Sequence, residues 1–214
     1  MTMTAPRRAL IVVDVQQEYF DGVLKIQYPP REESLANIAS AIEVAASQNI
    51  PVAIVQHEMP EGSPAFVKGT PTWELHPRIA ALVQPTFERV EKKFSSVFEG
   101  TSVAEWLTAN RIDTITIVGY MTNNCDLATA ANAEALDVSA EILSDATGAI
   151  NLANEAGTVS AEDLHSTLMV LYQSNFAAVA STSDWIEAVK SGSSLTANNL
   201  VVSAAQGNDT FGGE

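Results

Sequence analysis

One cysteine, Cys125, is all that a chain of 214 residues contains, which rules out an internal disulfide framework and a cysteine-based zinc cluster and fits a reducing compartment. Basic residues are scarce as well. Eleven Lys and Arg stand against 26 Asp and Glu, for a formal net charge of −15 and a pI near 4.4. A chain this acidic repels phosphate backbones and anionic lipid, which argues against nucleic acid and membrane surfaces as partners. Long apolar runs are missing too: no stretch approaches the ~18 residues of a membrane helix. The MTMTAPRR start is followed by only the short apolar segment Ala9–Val13 before Asp14, too little for a signal peptide. A cytoplasmic location is the expectation.

What is present is a chain 46% hydrophobic and 17% charged, enough to bury the core of one domain. Short β-rich apolar segments alternate with longer amphipathic or Ala-rich ones, the pattern of βαβ units and a parallel sheet. Six strands are expected near Ala9–Val13, Val52–Gln56, Phe87–Lys92, Thr114–Gly119, Ser139–Leu143 and Phe176–Ala180, the third mixed in character and placed at an edge. Leu35, Ile38 and Ile42 mark one face of a helix starting at Ser34 and stopped before Pro51. Ser102-Val103-Ala104-Glu105 reads as a capping box for a helix to about Asn110. Ser160 opens a helix carrying Leu164, Leu168 and Leu171, and Asp184–Lys190 forms the last one.

Two segments break the rhythm. The proline- and glycine-rich stretch 58–85 is too long for an ordinary connection and reads as a pocket wall or lid. Residues 191–214 read as an appended tail or arm, which leaves residues 1–190 as the domain.

In a parallel α/β sheet ligands bind beyond the carboxyl ends of the strands, so polar residues just after strands are the first candidates. Asp14, Lys92 and Cys125 occupy such places. A thiol at a helix start near a lysine is expected to have a lowered pKa, with an aspartate taking its proton. Each residue also has a plainer reading: Asp14 as a helix cap, Lys92 as a solvated lysine beside Lys93, Cys125 as a small buried hydrophobe.

Three segments decide between these readings: Ala9–Phe20, Lys92–Thr101 and Gly119–Ala131. In order and spacing, over roughly residues 9–190, they resemble the isochorismatase-like cysteine hydrolase family. The resemblance implies a three-layer α/β/α fold, doubly wound and Rossmann-like, with a mostly parallel six-stranded sheet. It also implies an Asp14-Lys92-Cys125 triad of base, lysine and nucleophile. Family members hold a non-proline cis peptide, here between Tyr120 and Met121, with the backbone amides of Met121 and Cys125 as the oxyanion hole. Phe20, His57, Phe66, Trp73 and Tyr120 are expected to wall the substrate pocket, while Thr122 and Asn123 brace the turn.

Two departures stand next to the nucleophile. Asp126 replaces a usual valine and Asn124 a usual apolar residue. A carboxylate beside a thiol opposes its ionisation unless it points away or is paired.

The nicotinamidase branch binds a metal through an Asp-x-His and a second His, but the corresponding stretch here is Val55-Gln-His-Glu-Met-Pro-Glu61. His57, Glu58 and His76 match no metal spacing, His165 reads as a packing or surface residue, and neither metal nor cofactor is expected. The implied activity is cleavage of a small amide C–N bond through a thioester on Cys125. The alternatives are vinyl-ether hydrolysis, which needs no thiol, or a catalytically silent binding protein. A small-molecule substrate and a homo-oligomer complete the expectation.

Overall fold

The computed structural model describes residues 5–212. Six strands, β1 (Arg8–Val13), β2 (Val52–His57), β3 (Glu88–Lys92), β4 (Thr114–Tyr120), β5 (Ser139–Gly148) and β8 (Ala178–Ala180), form one parallel sheet in the order β3-β2-β1-β4-β5-β8. Alternation along β1 explains the layers. Leu10 and Val12 face a cluster with Leu35, Ile38 and Ile42 of α1 (Arg31–Ser47) and Trp185 of α6 (Thr182–Ser191). Ala9, Ile11 and Val13 face a second cluster with Leu107 of α3 (Val103–Ala109), Ala130 and Ala133 of α4 (Leu127–Ala133) and Leu168 of α5 (Ala161–Leu171). Both faces of the sheet are therefore covered, which is why its strands read as continuous apolar runs.

Several boundaries differ from the sequence reading. Helix α1 starts at Arg31, with Pro30 in the flanking cap position at φ −51°, ψ 119°; Ser34 lies inside the helix, where its hydroxyl meets the Tyr120 hydroxyl at 2.8 Å. Ser102 does not cap α3. Its backbone (φ −91°, ψ 8°) lacks the extended conformation a cap needs, and Thr101 Oγ1 instead accepts from the Val103 amide at 3.3 Å. Ser160 does cap α5, accepting from the Asp163 amide at 3.0 Å from an extended backbone. Strand β5 runs on to Gly148, past a register shift opposite β4. The last strand starts late because a π turn, Tyr172–Phe176, prolongs α5. Ser181 caps α6 and starts it ahead of Asp184.

The stretch 58–85 is mostly turns, with one short helix α2 (Pro77–Ala80), and β6 (Leu152–Asn154) with β7 (Gly157–Val159) forms a small exposed hairpin. The tail holds a helix, α7 (Leu200–Phe211), with Leu200, Val201 and Phe211 exposed. No helix among the described residues is long and apolar enough to cross a membrane.

A buried ion pair joins β1 to β5 and reaches the start of the tail. The Arg8 guanidinium donates to Glu141 at 2.8–3.1 Å and to the Ser193 carbonyl at 2.7 Å. Thr116 and, behind it, Trp185 complete the network. Arg8→Met strands a buried carboxylate and is expected to cost about 3–5 kcal/mol, whereas Arg8→Met with Glu141→Leu recovers most of that loss. Urea unfolding of both variants checks this.

Candidate active site

The carboxyl ends of β1, β3 and β4 converge. Gly119 makes the approach possible: at φ +116°, a Cβ there would sit 2.0 Å from the Val13 carbonyl oxygen, so β4 can lie this close to β1 only without a side chain. Asp14, directly after β1, has φ +50°, a left-handed conformation that Asp tolerates better than most residues. Cys125 sits in a π turn, Thr122–Asp126, leading into α4, and the Tyr120–Met121 peptide before it is cis.

Although β3 is the sheet edge, Lys92 reaches inward past the end of β2, where it pairs in register with His57. Its Nζ lies 2.7 Å from Asp14 Oδ2, 3.1 Å from Cys125 Sγ, 3.1 Å from His57 Nδ1 and 3.1 Å from the Phe94 carbonyl. Asp14, Lys92 and Cys125 are all buried, with 0%, 1% and 3% exposure.

Burial governs the electrostatics. It would lower the Lys92 ammonium, but Asp14 foremost, with Cys125, outweighs it and holds the pKa above its ordinary value. His57 is lowered by burial and then by Lys92, so its neutral ring accepts from the ammonium at Nδ1 and keeps its hydrogen at Nε2.

The Cys125 thiol is pushed well up, by burial first and by Asp14 second, and Lys92 only partly opposes this. This overturns the expectation of a lowered thiol pKa: the π turn and the lysine do not outweigh desolvation. Cys125 is accordingly expected to alkylate with iodoacetamide more slowly than free cysteine at pH 7, with the rate still rising above pH 9. Time-resolved intact mass measures it.

The wall residues divide. Phe20 and Trp73 are buried, and Phe20 packs against His76 and Tyr120 at centroid distances of 4.4 and 5.9 Å. Phe66 lies edge-on to His57 at 5.2 Å. Tyr120 is wholly buried, with its hydroxyl spent on Ser34. Tyr19 escaped the sequence reading. Its ring is buried against Phe66 and Tyr120 at centroid distances of 5.4 and 5.3 Å, and burial first, then Cys125 and Asp14, holds its phenol pKa well above the ordinary value. His76 serves the turn, its Nδ1 accepting from the Arg78 amide at 3.2 Å.

Asp126 is fully buried and paired, its Oδ2 hydrogen-bonded to the Thr147 hydroxyl. Thr122 lies 2.9 Å from Thr147 and 3.1 Å from His165 Nδ1, which makes His165 a buried network member and not a surface residue. Burial, with Asp14 adding to it, raises the Asp126 pKa from 3.8 to about 7. A carboxyl raised in the folded state contributes stability at low pH that is lost as pH climbs from the unfolded value to the folded one. Asp126→Asn is thus expected to gain on wild type by about 4 kcal/mol between pH 4 and pH 8. Urea unfolding at both pH values tests this.

Asp14, His57 and Cys125 offer ligand atoms within 4.8 Å of one another, the one such group among the described residues. All three point at the Lys92 ammonium, so a metal ion there would have to displace a buried cation already paired with them.

Comparison with known proteins agrees with this geometry. The Isochorismatase domain model matches residues 8–184. A crystal structure from Burkholderia xenovorans LB400, of a protein named for isochorismatase, is 46% identical with a TM-score of 0.94, covering 98% of this chain and 100% of that one. A cysteine hydrolase from Pseudomonas syringae pv. phaseolicola 1448A is 25% identical with a TM-score of 0.77, covering 90% and 96%. A secreted isochorismatase effector of Verticillium dahliae is 33% identical over 129 residues, 60% of this chain and 66% of the relative. The chain belongs to the isochorismatase domain family of hydrolases.

Proposed function

We propose that the protein hydrolyses a small amide or related acyl compound at its C–N bond, with Cys125 as nucleophile, Asp14 as general base and acid, and Lys92 as the cation that joins them. The observation that carries this reading is the Lys92 ammonium held 2.7 Å from Asp14 and 3.1 Å from Cys125 in a buried site. The likeness to a cysteine hydrolase supports it.

Because the resting thiol keeps its proton, attack and deprotonation are coupled. Sγ bonds to the carbonyl carbon as the proton passes to Asp14, whose Oδ1 accepts no hydrogen bond and is free to take it. The carbonyl π pair moves to oxygen, which the Met121 and Cys125 amides receive; each such donor contributes roughly 3 kcal/mol. On collapse the C–N bond breaks and Asp14 returns the proton to the leaving nitrogen, leaving a thioester. Water then attacks, gives a proton to Asp14, and Cys125 leaves to recover it. The ammonium stabilises the sulfur anion at both ends of the cycle.

A panel of small amides, carbamoyl compounds and lactams, assayed for ammonia or amine release with intact-mass detection of an acyl adduct on Cys125, tests the reading. Release with a transient adduct is expected. Silence across the panel with no adduct would count against it.

A further inference from the structure

The tail is fastened at its root and bare at its tip. Arg8 donates to the Ser193 carbonyl, Gln173 Nε2 donates to the Thr196 carbonyl at 3.0 Å, and Leu195 packs against the first core cluster. Asn199 then caps α7, which rests beside the π turn Tyr172–Phe176 with Ser203 and Gly207 half-buried. The rest of the helix is exposed, Leu200 at 61%, Val201 at 79% and Phe211 at 89%. Leu200, Ala204 and Phe211 share one face, with Val201 and Ala205 beside them, so the helix presents its apolar side to solvent.

Such a helix does not hold itself. Twelve residues are at the margin for a helix in water, and this one carries Gly207, two valines and a threonine. A helix of this length takes its stability from a packed face, and among the described residues the apolar face of α7 is uncovered.

Charge decides what fits there. The chain carries a net charge of −15, yet 191–208 contains no Asp, Glu, Lys or Arg, and neither does 164–183, which spans the end of α5, the π turn and β8. These are the two longest uncharged stretches of the sequence, and they lie side by side, with Val170 and Leu171 exposed just before the π turn. A lipid-binding helix carries Lys and Arg on its polar face, and α7 has neither. A basic partner would be drawn to an acidic face. A surface free of charge on a strongly acidic chain is what lets a second, equally acidic copy approach. Size sets the extent. Helix α7 is about 18 Å long, so helix on helix falls short of the ~800 Å² per partner of a stable interface, and the end of α5 adds the apolar surface beside it.

We propose that α7 and the end of α5 form a self-complementary surface through which two copies of this chain pair about a two-fold axis, each tail helix covering the apolar face of the other.

Sedimentation equilibrium of the full chain tests this, with wild type expected at twice 22.8 kDa in the micromolar range. Val201→Glu with Phe211→Glu sets like charges on both facing surfaces and is expected to raise the dimer dissociation constant by about 100-fold or more. Both side chains lie in solvent in the single copy, so the fold holds, which far-ultraviolet circular dichroism checks. Val201→Lys with Phe211→Lys is expected to dissociate in the same way. An equal mixture of the lysine and glutamate variants is expected to pair at least about tenfold more tightly than either alone. Amide exchange in α7 should slow as the wild-type dimer forms and stay fast in the glutamate variant. A monomeric wild type overturns the proposal, even where α7 then binds vesicles or another protein. So does a dimer that survives the glutamate pair, or a lysine–glutamate mixture that stays monomeric.

Discussion

Cys125→Ala is expected to lower kcat by about 10⁴-fold or more, because nucleophile, base and cation act as one unit and the remainder offers only binding and the oxyanion amides. The fold should survive: Cys125 is a small side chain of one core cluster, and its truncation to alanine costs about 1 kcal/mol. Intact mass spectrometry separates the possible outcomes. Wild type shows a transient acyl adduct and the alanine variant none. A variant that kept its turnover would remove Cys125 from the chemistry and leave a reaction that needs no thiol, such as vinyl-ether hydrolysis. Cys125→Ser is a sharper version, since a hydroxyl in the same buried place is far harder to deprotonate than a thiol already pushed upward by burial and Asp14.

The six strands were legible because doubly buried strands write themselves as apolar runs; strand ends made Asp14, Lys92 and Cys125 candidates, and only the family resemblance set them apart from a cap, a solvated lysine and a small buried hydrophobe. What was not legible depends on side-chain reach and desolvation. Nothing in the spacing of Glu91, Lys92 and Lys93 reveals that a lysine on the edge strand crosses to β1. The thiol's environment was misjudged because a helix start and a lysine are visible in sequence, whereas 3% exposure is not. Tyr19 and Phe20 are adjacent aromatics, and only the turn at Gln17–Tyr19 decides that Tyr19 meets Phe66 while Phe20 meets His76. The tail helix was missed because Leu200, Val201 and Val202 stand in a polar segment, where Asn199, its side chain accepting from the Val202 amide at 3.0 Å, was the available signal.

Lys92→Met is expected to abolish turnover and also destabilise the fold, by about 3–5 kcal/mol, because it leaves the Asp14 carboxylate buried without its cation. The pH dependence follows from the direction of the lysine shift. A group raised in the folded state contributes fully below its unfolded value of 10.5, and that contribution disappears only as pH rises through the still higher folded value. The stability gap between wild type and Lys92→Met due to this lysine should therefore stay flat from pH 6 to pH 10 and narrow only above that. Lys92→Arg does not rescue it. A guanidinium is planar and bulkier than an ammonium that meets four partners within 3.1 Å. The double variant Asp14→Asn with Lys92→Met separates structure from chemistry: with no charge left unpaired it should recover most of the lost stability in urea, and it should still turn over no substrate. A double variant that stayed unstable would place the lysine's value in its packing against His57 and Phe94. One that regained turnover would show that the carboxylate and ammonium only neutralise each other and take no part in the proton's path.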